Sequence, residues 1–295
     1  MPPDFDTGSA LPSEIVWGNY RIERKLGEGG MGIVYAAIRI TTNEPVALKL
    51  MKPELMANPG AADLVKRFHL ETELLRSFSH PNIVSVSDAG VFENGTPYLA
   101  MERLTGGALS DHLAGYSGAI NNSVRLVATV ARALHTIHER SAVHRDLKPG
   151  NLMFRRDPNA ADDVVITDFG LGVLVSRAAR LTITGHFLGT PVYSAPEQLV
   201  DAKHVDRRAD VYSLGVVLFQ LISGKLPVDP PARRVDGFYI ATRRTVPPRN
   251  LRDLVPGVDV DLDGICRACL HPDPTGRFES AAVLATELDN WLLEH

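Results

Sequence analysis

The sequence predicts an α+β protein in which a small β-rich part precedes a larger, mainly helical part. Runs rich in β-branched and aromatic residues, joined by tight turns, dominate residues 19–101. They predict a small antiparallel sheet of five strands with one main helix. From residue 102 to residue 295, apolar residues instead recur at helical spacing. Residues 1–18 precede both parts as a polar leader.

The first three predicted strands form a meander. The segment NYRIERKL alternates polar and apolar residues, which predicts that Tyr20, Ile22 and Arg24 lie on one face of the sheet. IVYAAIRI and PVALKL follow as the second and third strands, separated by the turn cluster TTNE. Residues 62–78 then carry apolar side chains at helical offsets, and IVSVSDAGVF and TPYLAME complete the predicted sheet.

The second part of the sequence has the period of amphipathic helices. Helices are predicted over residues 206–223, 259–270 and 280–293. The clearest apolar stripe precedes them and consists of Val124, Val127, Val130, Ala131, Leu134 and Ile137. We therefore expect a helical core that is larger than the sheet.

Composition excludes several classes of protein. Of the 295 residues, 44% are hydrophobic, which is enough for a folded core. The 31 basic and 35 acidic side chains give no strong positive field, so nucleic acid is not an expected partner. The longest apolar run, residues 211–222, is too short to span a bilayer, and the start lacks the basic and apolar regions of a signal peptide. We therefore expect a cytoplasmic protein with no membrane segment in this chain.

The two cysteines, Cys266 and Cys269, lie in the helix-periodic context DLDGICRACL. A redox pair would need a strand before it, and a zinc site would need two further ligands where only His271 is near. We interpret the cysteines as small apolar residues on one face of a helix.

A glycine-rich segment, LGEGGMGIVY, lies between the first two predicted strands, and Gly27, Gly29 and Gly32 fit the pattern G-x-G-x-x-G. A dinucleotide-binding fold would need a helix to open at Gly32, but the residues that follow favour a strand. The glycines are therefore expected at the tip of a hairpin. Such a tip can lie close to phosphates, because its bare backbone offers N–H donors without side-chain clashes. An ordinary glycine-rich hairpin is the alternative.

Lys49 lies in the apolar strand VALKL, with Ala47 on the same face. An unpaired buried ammonium group is unfavourable, so an inward-pointing Lys49 needs an anionic partner. Glu71 in the following helix is the first candidate, and Glu73 on the opposite helix face is the second. A surface lysine at a strand edge is the alternative.

Two polar clusters lie beside apolar segments in the second part of the chain. HRDLKPGN, residues 144–151, holds an aspartate, a lysine and an asparagine at short offsets and precedes the apolar run LMF. TDFG, residues 167–170, follows the strand-like segment DVVI. Polar groups this dense beside a core point to a functional loop.

The motifs GEGGMGIV, VALK, HRDLKPGN, DFG, GTPVYSAPE, DVYSLG and GRF occur in an order that resembles the eukaryotic-like, or Hanks-type, serine/threonine protein kinases. The resemblance covers nearly everything from Asn19 to Leu293. LKPGN and APEQ look like the bacterial branch of that family. The resemblance implies the catalytic domain of a kinase with a bilobal protein-kinase fold, in which residues 19–101 are the N-lobe and residues 102–295 the C-lobe.

The resemblance implies a catalytic role for four side chains and a metal-binding role for two. Transfer of a γ-phosphoryl group needs positioning and charge neutralisation more than covalent chemistry. By resemblance Lys49, fixed by Glu71, contacts the α- and β-phosphates, and Lys148 neutralises charge on the γ-phosphoryl group. Asp146 receives the substrate hydroxyl, and it mainly orients that group because an aspartate is a weak base at pH 7. The metal ligands are Asn151 and Asp168.

The implied cofactors are ATP and Mg²⁺, with Mn²⁺ as a possible substitute. Residues of the glycine-rich hairpin would cover the phosphates, and apolar residues above and below would hold the adenine beside a hinge. The implied nucleotide-binding residues are Gly27, Glu28, Gly29, Gly30, Gly32, Val34, Ala47, Lys49, Met101, Glu102, Leu104 and Met153.

The resemblance also implies a substrate class and a mode of regulation. Lys148 and Thr190 are typical of kinases that act on serine and threonine hydroxyls of proteins. Arg145 precedes the catalytic aspartate and is the implied partner of a phosphate on Thr182 or Thr184, placed there by autophosphorylation. The alternative is that these two threonines are ordinary residues of a mobile loop.

Several further features follow from the resemblance. Glu197 and Arg277 are the implied partners of a structural ion pair, and Asp210 is the implied anchor of a stack that includes His144. Two copies could pair through residues 19–101. A nucleotide-binding pseudokinase scaffold is the alternative function, although Lys49 and the implied metal ligands are all present. A small-molecule phosphotransferase is a second alternative. The motif GTPVYSAPE makes it less favoured, because such enzymes lack a peptide-holding loop of this kind.

Overall fold

The structure of the chain is a computed structural model that describes residues 15–29, 32–57, 61–168, 192–200, 205–229 and 245–295. The chain divides into two compact units, Met1–Thr105 and Gly106–His295. The sequence placed the division slightly earlier, after residue 101. The first unit is dominated by strands and the second by helices, as the α+β prediction required.

An antiparallel sheet forms most of the first unit. It contains six strands in the order β1-β2-β3-β4-β6-β5. Period-two alternation of apolar residues sets the register of the long central strands. The strands are β1 (Ile15–Trp17), β2 (Tyr20–Glu28), β3 (Gly32–Arg39), β4 (Glu44–Met51), β5 (Val86–Val91) and β6 (Pro97–Glu102).

Strand β1 corrects two predictions, because the sheet was expected to have five strands and residues 1–18 were expected to be a polar leader. Residues Ile15–Trp17 pair with β2 across a tight turn. Gly18 makes this turn with φ of 55°, a left-handed conformation that favours glycine. Trp17 packs edge-on against Tyr35 with a centroid distance of 5.6 Å, which gives the short strand its anchor.

Arg24 corrects a further detail of the sequence analysis. Tyr20 and Ile22 are buried as predicted, but Arg24, which was expected on the same face, is exposed. A register shift between Ile22 and Arg24 in the pairing of β2 with β3 explains the difference. The bulge inserts one residue and changes the face on which the following side chains lie.

Helix α2 (Ala61–Arg76) is the main helix of the first unit and contacts β5 and β6. Phe68 and Leu75 on its apolar stripe are buried at 3% exposure each. A single short turn of helix, α1 (Pro53–Met56), precedes it and begins with a proline at its first position. The predicted helix over residues 62–78 is therefore confirmed.

The second unit is built around two long helices. Each residue of the predicted stripe on α4 is fully buried, and most of α6 is buried on every side, as expected for a central helix. Helix α9 packs on α4, and α8 packs on α6. The helices are α3 (Leu109–Tyr116), α4 (Ile120–His138), α5 (Pro196–Val200), α6 (Arg208–Ser223), α7 (Leu251–Leu254), α8 (Val260–Cys269) and α9 (Ala281–Glu294).

Local sequence signals explain where the last two helices begin. The side chain of Asp259 accepts hydrogen bonds from the backbone N–H groups of Asp261 and Leu262 at the start of α8. Ser280 caps α9 in the same way through the N–H of Val283.

Across the part of the chain that the structure describes, no helix combines the length and apolar character that crossing a membrane requires.

A two-stranded antiparallel ribbon, β7 (Leu152–Phe154) with β8 (Val164–Ile166), lies between α4 and α5 in the sequence. Leu152 pairs with Ile166, so the chain just before β7 and the chain just after β8 emerge at the same end of the ribbon. These two flanking segments are the polar clusters HRDLKPGN and TDFG. The ribbon therefore brings together two motifs that are separate in the sequence.

Candidate active site

The glycine-rich segment forms a hairpin between β2 and β3, as predicted. Gly27 pairs with Val34, and the backbone N–H of Gly29 donates to the carbonyl of Gly32 at 2.9 Å. A Cβ atom on Gly32 would lie 2.4 Å from the carbonyl oxygen of Leu50, so only glycine fits there. Among the described residues, no atom beyond the chain neighbours lies within 4 Å of a Cβ built on Gly27 or Gly29.

Glu28 at this hairpin forms ion pairs with two lysines of its own unit. Its carboxylate accepts from Lys25 Nζ at 2.7 Å and contacts Lys52 Nζ. The hydrogen bonds from Lys25 and Lys52 lower the pKa of Glu28 to about 2. The side chain is exposed, so the pairs position the hairpin only weakly.

Lys49 lies on the sheet face opposite the aromatic core of the first unit. It pairs directly with Val34 on β3, and its neighbour two residues away, Ala47, pairs with Met101 on β6. Directly paired residues share one face of a sheet, so these four side chains form one surface. The opposite face of the sheet carries the core, which consists of Tyr20, Ile22, Tyr35, Ala37, Val46, Leu48, Leu50 and Ala100.

The two acidic candidates for a partner of Lys49 lie on α2. Glu73 is exposed, whereas Phe68 and Leu75 are buried. The exposure of Glu73 agrees with its place on the opposite helix face. The backbone of Glu71 lies in α2, and its side chain lies outside the described residues. The pairing of Lys49 with Glu71 stays a prediction.

The segment proposed as a hinge follows the last pairs of β6. Met101 is 8% exposed, and Glu102 exchanges hydrogen bonds with Ser85, accepting from its N–H through Oε1 at 2.9 Å. Arg103 donates to Glu23 on β2 at 2.5 Å. Leu104 is half-buried. The side chains of Glu102 and Arg103 thus bind other parts of their own unit.

The catalytic-loop candidate of the second unit gathers three of the predicted side chains. Asp146 Oδ2 accepts from Lys148 Nζ at 2.7 Å and from Asn151 Nδ2 at 3.1 Å. Asn151 Nδ2 also donates to the backbone carbonyl of Asp146 at 2.7 Å. A short helical turn, Pro149–Asn151, sets the spacing that makes these contacts possible. The carboxylate therefore has a fixed direction while its side chain remains 38% exposed.

Asn151 and Asp168, the predicted metal ligands, are linked through Thr167. The backbone N–H of Thr167 donates to the carbonyl of Asn151 at 2.9 Å, and its hydroxyl donates to the same oxygen at 3.1 Å. Asp168 follows with φ of 52° and an exposed side chain. Because Asn151 Nδ2 faces two acceptors on Asp146, its amide oxygen points away from them. One amide oxygen and one exposed carboxylate are hard donors that fit Mg²⁺.

Met153 lies on β7 in the second unit, between two fully buried residues, and is itself half-buried. It pairs with Val165 on β8 and forms an isolated bridge with Ala108. Its contacts within the unit explain why an apolar residue is suitable there.

Asp210 on α6 holds the backbone of the loop from below. It is fully buried and accepts from the N–H of His144 through Oδ2 and from the N–H of Arg145 through Oδ1, both at 2.8 Å. His138 Nε2 contacts the same Oδ2 at 2.8 Å. Burial alone would raise the pKa of Asp210, but the hydrogen bond and charge of His138 and the N–H of Arg145 together lower it.

His144 connects the loop to the segment that carries Asp168. Its Nδ1 accepts from the N–H of Asp146 at 3.3 Å, and its Nε2 lies 3.0 Å from the carbonyl of Thr167. These partners require a neutral ring with the proton on Nε2. The side chain is fully buried, as expected for a member of the stack that the resemblance implies.

The predicted ion pair between Glu197 and Arg277 is confirmed. Arg277 Nη1 and Nη2 donate to the two carboxylate oxygens at 2.7 Å and 2.8 Å, in the bidentate geometry that arginine favours. The guanidinium also lies over the ring of Tyr212, with its carbon 4.8 Å from the ring centroid. This pair anchors α5 to the helical unit.

Four of the predicted residues, Gly30, Thr182, Thr184 and Thr190, lie outside the described residues. Conversely, two buried side chains beside the loop were not singled out in the sequence: His138 contacts Asp210, and Gln198 contacts the backbone carbonyl of Arg145. His138 ends an apolar helical stripe, and Gln198 follows the motif APE. Neither position has a local pattern that reveals its long-range partner.

Comparison with known proteins is consistent with this geometry. The family model described as protein kinase domain matches residues 20–288. The serine/threonine-protein kinase PknJ of Mycobacterium tuberculosis is 36% identical over 93% of this chain, and the match covers 46% of PknJ. The chain thus spans about half the length of that relative.

Solved structures give the same result. The kinase domain of PknI from Mycobacterium tuberculosis superposes with a TM-score of 0.71 and 28% identity, covering 95% of this chain and 99% of that chain. A structure of Rad53 in complex with AMP-PNP superposes with a TM-score of 0.71 and 25% identity, covering 93% of this chain and 65% of that one. The chain therefore belongs to the protein kinase family, as a catalytic domain of the bacterial, eukaryotic-like serine/threonine type.

Proposed function

We propose that this chain is a serine/threonine protein kinase that transfers the γ-phosphoryl group of Mg·ATP to serine and threonine hydroxyls of proteins. The observation that carries the proposal is the contact of Asp146 Oδ2 with both Lys148 Nζ and Asn151 Nδ2, at 2.7 Å and 3.1 Å. A carboxylate held between a cation and an amide is suited to orienting a hydroxyl group beside a phosphate.

The roles of the loop residues follow from their charges. Asp146 accepts the hydrogen bond of the incoming hydroxyl and takes its proton late in the transfer. Lys148 lies beside it and stabilises negative charge on the phosphoryl oxygens. Because both side chains are fixed by the same short loop, the attacking hydroxyl and the charge-stabilising group are positioned together.

Asn151 and Asp168 are the proposed ligands of the metal, and Mg²⁺ suits their oxygen donors better than a softer ion. A metal ion held by these two side chains would neutralise charge on the phosphates. Family membership supports the use of ATP with a divalent metal, and the choice of Mg²⁺ over Mn²⁺ is our inference from the donor atoms. Among the described residues there is no cluster of three His, Cys, Asp or Glu side chains that would form a separate metal site.

The first unit supplies the proposed nucleotide surface. In this proposal Lys49, supported by Glu71, contacts the α- and β-phosphates, and backbone N–H groups of the hairpin over residues 27–32 cover them. Val34, Ala47 and Met101 share the sheet face of Lys49, which supports an apolar adenine site on that face. ATP is a cytoplasmic nucleotide, and this supports a cytoplasmic location for the domain.

Regulation by autophosphorylation is also proposed. A phosphate on Thr182 or Thr184 would carry about two negative charges and would pair with Arg145. Thr190 would help to hold the peptide substrate. Pairing of two copies through residues 19–101 stays a prediction from the sequence.

The proposal is tested with the purified chain, radiolabelled ATP, Mg²⁺ and a generic protein substrate rich in serine and threonine. The chain should label the protein on serine and threonine, and mass spectrometry should find phosphate between Asp168 and Glu197. Asp146→Asn should bind ATP with unchanged affinity and lose most of the transfer. Asp289→Asn, a matched change at a half-exposed aspartate on α9, should retain it.

Two outcomes would favour other functions. Nucleotide binding without any transfer, in a protein that is folded and saturated with Mg·ATP, would support the pseudokinase scaffold. Transfer to small alcohols or aminoglycosides but not to proteins would support a small-molecule phosphotransferase. Equal turnover of Asp146→Asn and the unchanged chain would show that the loop is assigned wrongly.

A further inference from the structure

Gln198 links the short helix α5 to the loop that contains Asp146. It is 9% exposed and lies three residues after Ala195, the residue that precedes α5. Its Oε1 accepts from the N–H of Ala195 at 2.9 Å, which is the side-chain half of a capping box. Its Nε2 donates to the backbone carbonyl of Arg145 at 2.9 Å. Both ends of this carboxamide are therefore engaged, each with a different part of the chain.

The carbonyl that Gln198 contacts belongs to the peptide group immediately before Asp146. The N–H of the same peptide group donates to His144 Nδ1 at 3.3 Å. Arg145 adopts φ of 65°, a left-handed conformation that is strained for a residue with a side chain. A strained residue persists only where its surroundings fix it. Here Asp210 fixes the N–H of Arg145 and Gln198 fixes its carbonyl.

We propose that Gln198 is a positioning residue for phosphoryl transfer, because it fixes the plane of the Arg145–Asp146 peptide group and so the direction of the Asp146 carboxylate. This inference rests on the proposed function. It also gives α5 a second role. Arg277 holds α5 in place through its ion pair with Glu197, and the side chain of Gln198 connects α5 to the catalytic loop. The loop and α5 then move together.

The chemistry of the site selects glutamine among residues of similar size. Glutamate would keep the acceptor for the N–H of Ala195 but would place a carboxylate against the carbonyl of Arg145. Methionine has a similar length but offers neither strong donor nor strong acceptor. When a carboxyl group at this position is ionised, only a carboxamide serves both contacts at once.

The test compares Gln198→Glu with the unchanged chain in steady-state phosphotransfer. We expect kcat to fall about tenfold or more, because a buried hydrogen bond is replaced by repulsion at the group that orients Asp146. The KM for ATP should stay within about twofold, since the nucleotide contacts are untouched. Gln220→Glu is the matched control, because Gln220 uses its Oε1 as an acceptor from the hydroxyl of Tyr193 and a carboxylate can replace that oxygen.

A pH profile separates positioning from a general loss of structure. When the introduced carboxyl is protonated its O–H can donate to the carbonyl of Arg145, so the relative kcat of Gln198→Glu should rise as the pH falls. Burial beside a carbonyl raises the pKa of such a carboxyl and brings this recovery toward the assay range. Gln198→Met, which has no titrating group, should lose activity without recovering at low pH.

Hydrogen exchange keeps the inference testable if the unchanged chain transfers no phosphate and the proposed function fails. The amide of Asp146 should then still exchange faster in Gln198→Glu than in the unchanged chain, with other buried amides unaffected. Equal kcat values for Gln198→Glu and the unchanged chain would overturn the positioning role. A uniform loss of protection across the second unit would overturn it as well, because Gln198 would then be a general stabilising residue.

Discussion

Replacing Asp210 by asparagine removes one charge and one acceptor oxygen at a fully buried position next to the loop of residues 144–151. The carboxylate accepts two hydrogen bonds through Oδ2, from His138 and the N–H of His144, and one through Oδ1, from the N–H of Arg145. An asparagine can keep its oxygen toward the first two donors only by turning its NH₂ group toward the N–H of Arg145. Two donors then face each other in a site without exposure to solvent.

The expected loss is large for an isosteric change. A buried donor without a partner destabilises a protein by about 1–3 kcal/mol, and removing the charged partner of a buried group adds to this. We therefore expect the second unit to lose about 3 kcal/mol of unfolding free energy. For a domain of this size, the melting temperature should fall by about 6–12 °C.

The assay is thermal and urea unfolding of the Asp210→Asn variant and the unchanged chain between pH 8 and pH 3.5. The pKa of Asp210 is lowered in the folded protein, so its charge stabilises the fold above the unfolded value of about 3.9. That contribution is lost as the pH falls through the folded pKa. The difference between the two proteins should be constant above about pH 5 and shrink in acid.

Asp289→Asn is the matched control. Asp289 is a hydrogen-bonded aspartate too, since it accepts two hydrogen bonds from Arg132, but its side chain is half-exposed. It should lose no more than about 1 kcal/mol. If Asp210→Asn and Asp289→Asn destabilise the protein equally, the claim that Asp210 is the anchor of the loop is wrong.

Two further predictions concern the packing of α8. Gly215→Ala should lower stability by about 1–3 kcal/mol, because the new Cβ would lie 2.4 Å from Cys269 Cβ. Gly264→Ala, in α8, should leave stability unchanged or raise it, because no described atom outside the local helix backbone lies within 4 Å of the new Cβ. Melting curves test both changes. Cys266 and Cys269 should resist a thiol reagent in the native protein and react after denaturation, because burial raises the pKa of Cys269 to about 12 and that of Cys266 well above its usual value. Rapid labelling of either native thiol would refute this packing.

The spacing of apolar residues predicted the long helices correctly, because burial of one helix face requires that spacing over many residues. The stripe on α4 and the helices over residues 206–223, 259–270 and 280–293 all have an apolar face that must be buried, and the structure buries it. Strand β1 escaped prediction because a strand of three residues is too short to show alternation. Only its partner β2 and the packing of Trp17 on Tyr35 make it a strand.

Motif chemistry predicted the loop residues Asp146, Lys148 and Asn151, which the structure brings into hydrogen-bonding distance. It did not predict the buried residues that hold the loop. His138 and Gln198 contact partners 72 and 53 residues away in the sequence. Contacts at that separation depend on the packing of whole helices, and a single histidine or glutamine gives no local sign of them.

The proposal that Lys49 and Asp168 bind one metal–nucleotide complex is tested most directly by paramagnetic broadening. Protein labelled with ¹³C in its lysine side chains would be saturated with Mn²⁺ and a non-hydrolysable ATP analogue, and the Lys49 signal assigned from Lys49→Arg. We predict that Mn²⁺ broadens the Lys49 signal strongly and that Asp168→Asn removes the effect. A Lys49 signal that stays sharp with Mn²⁺ and nucleotide bound would contradict the proposed site.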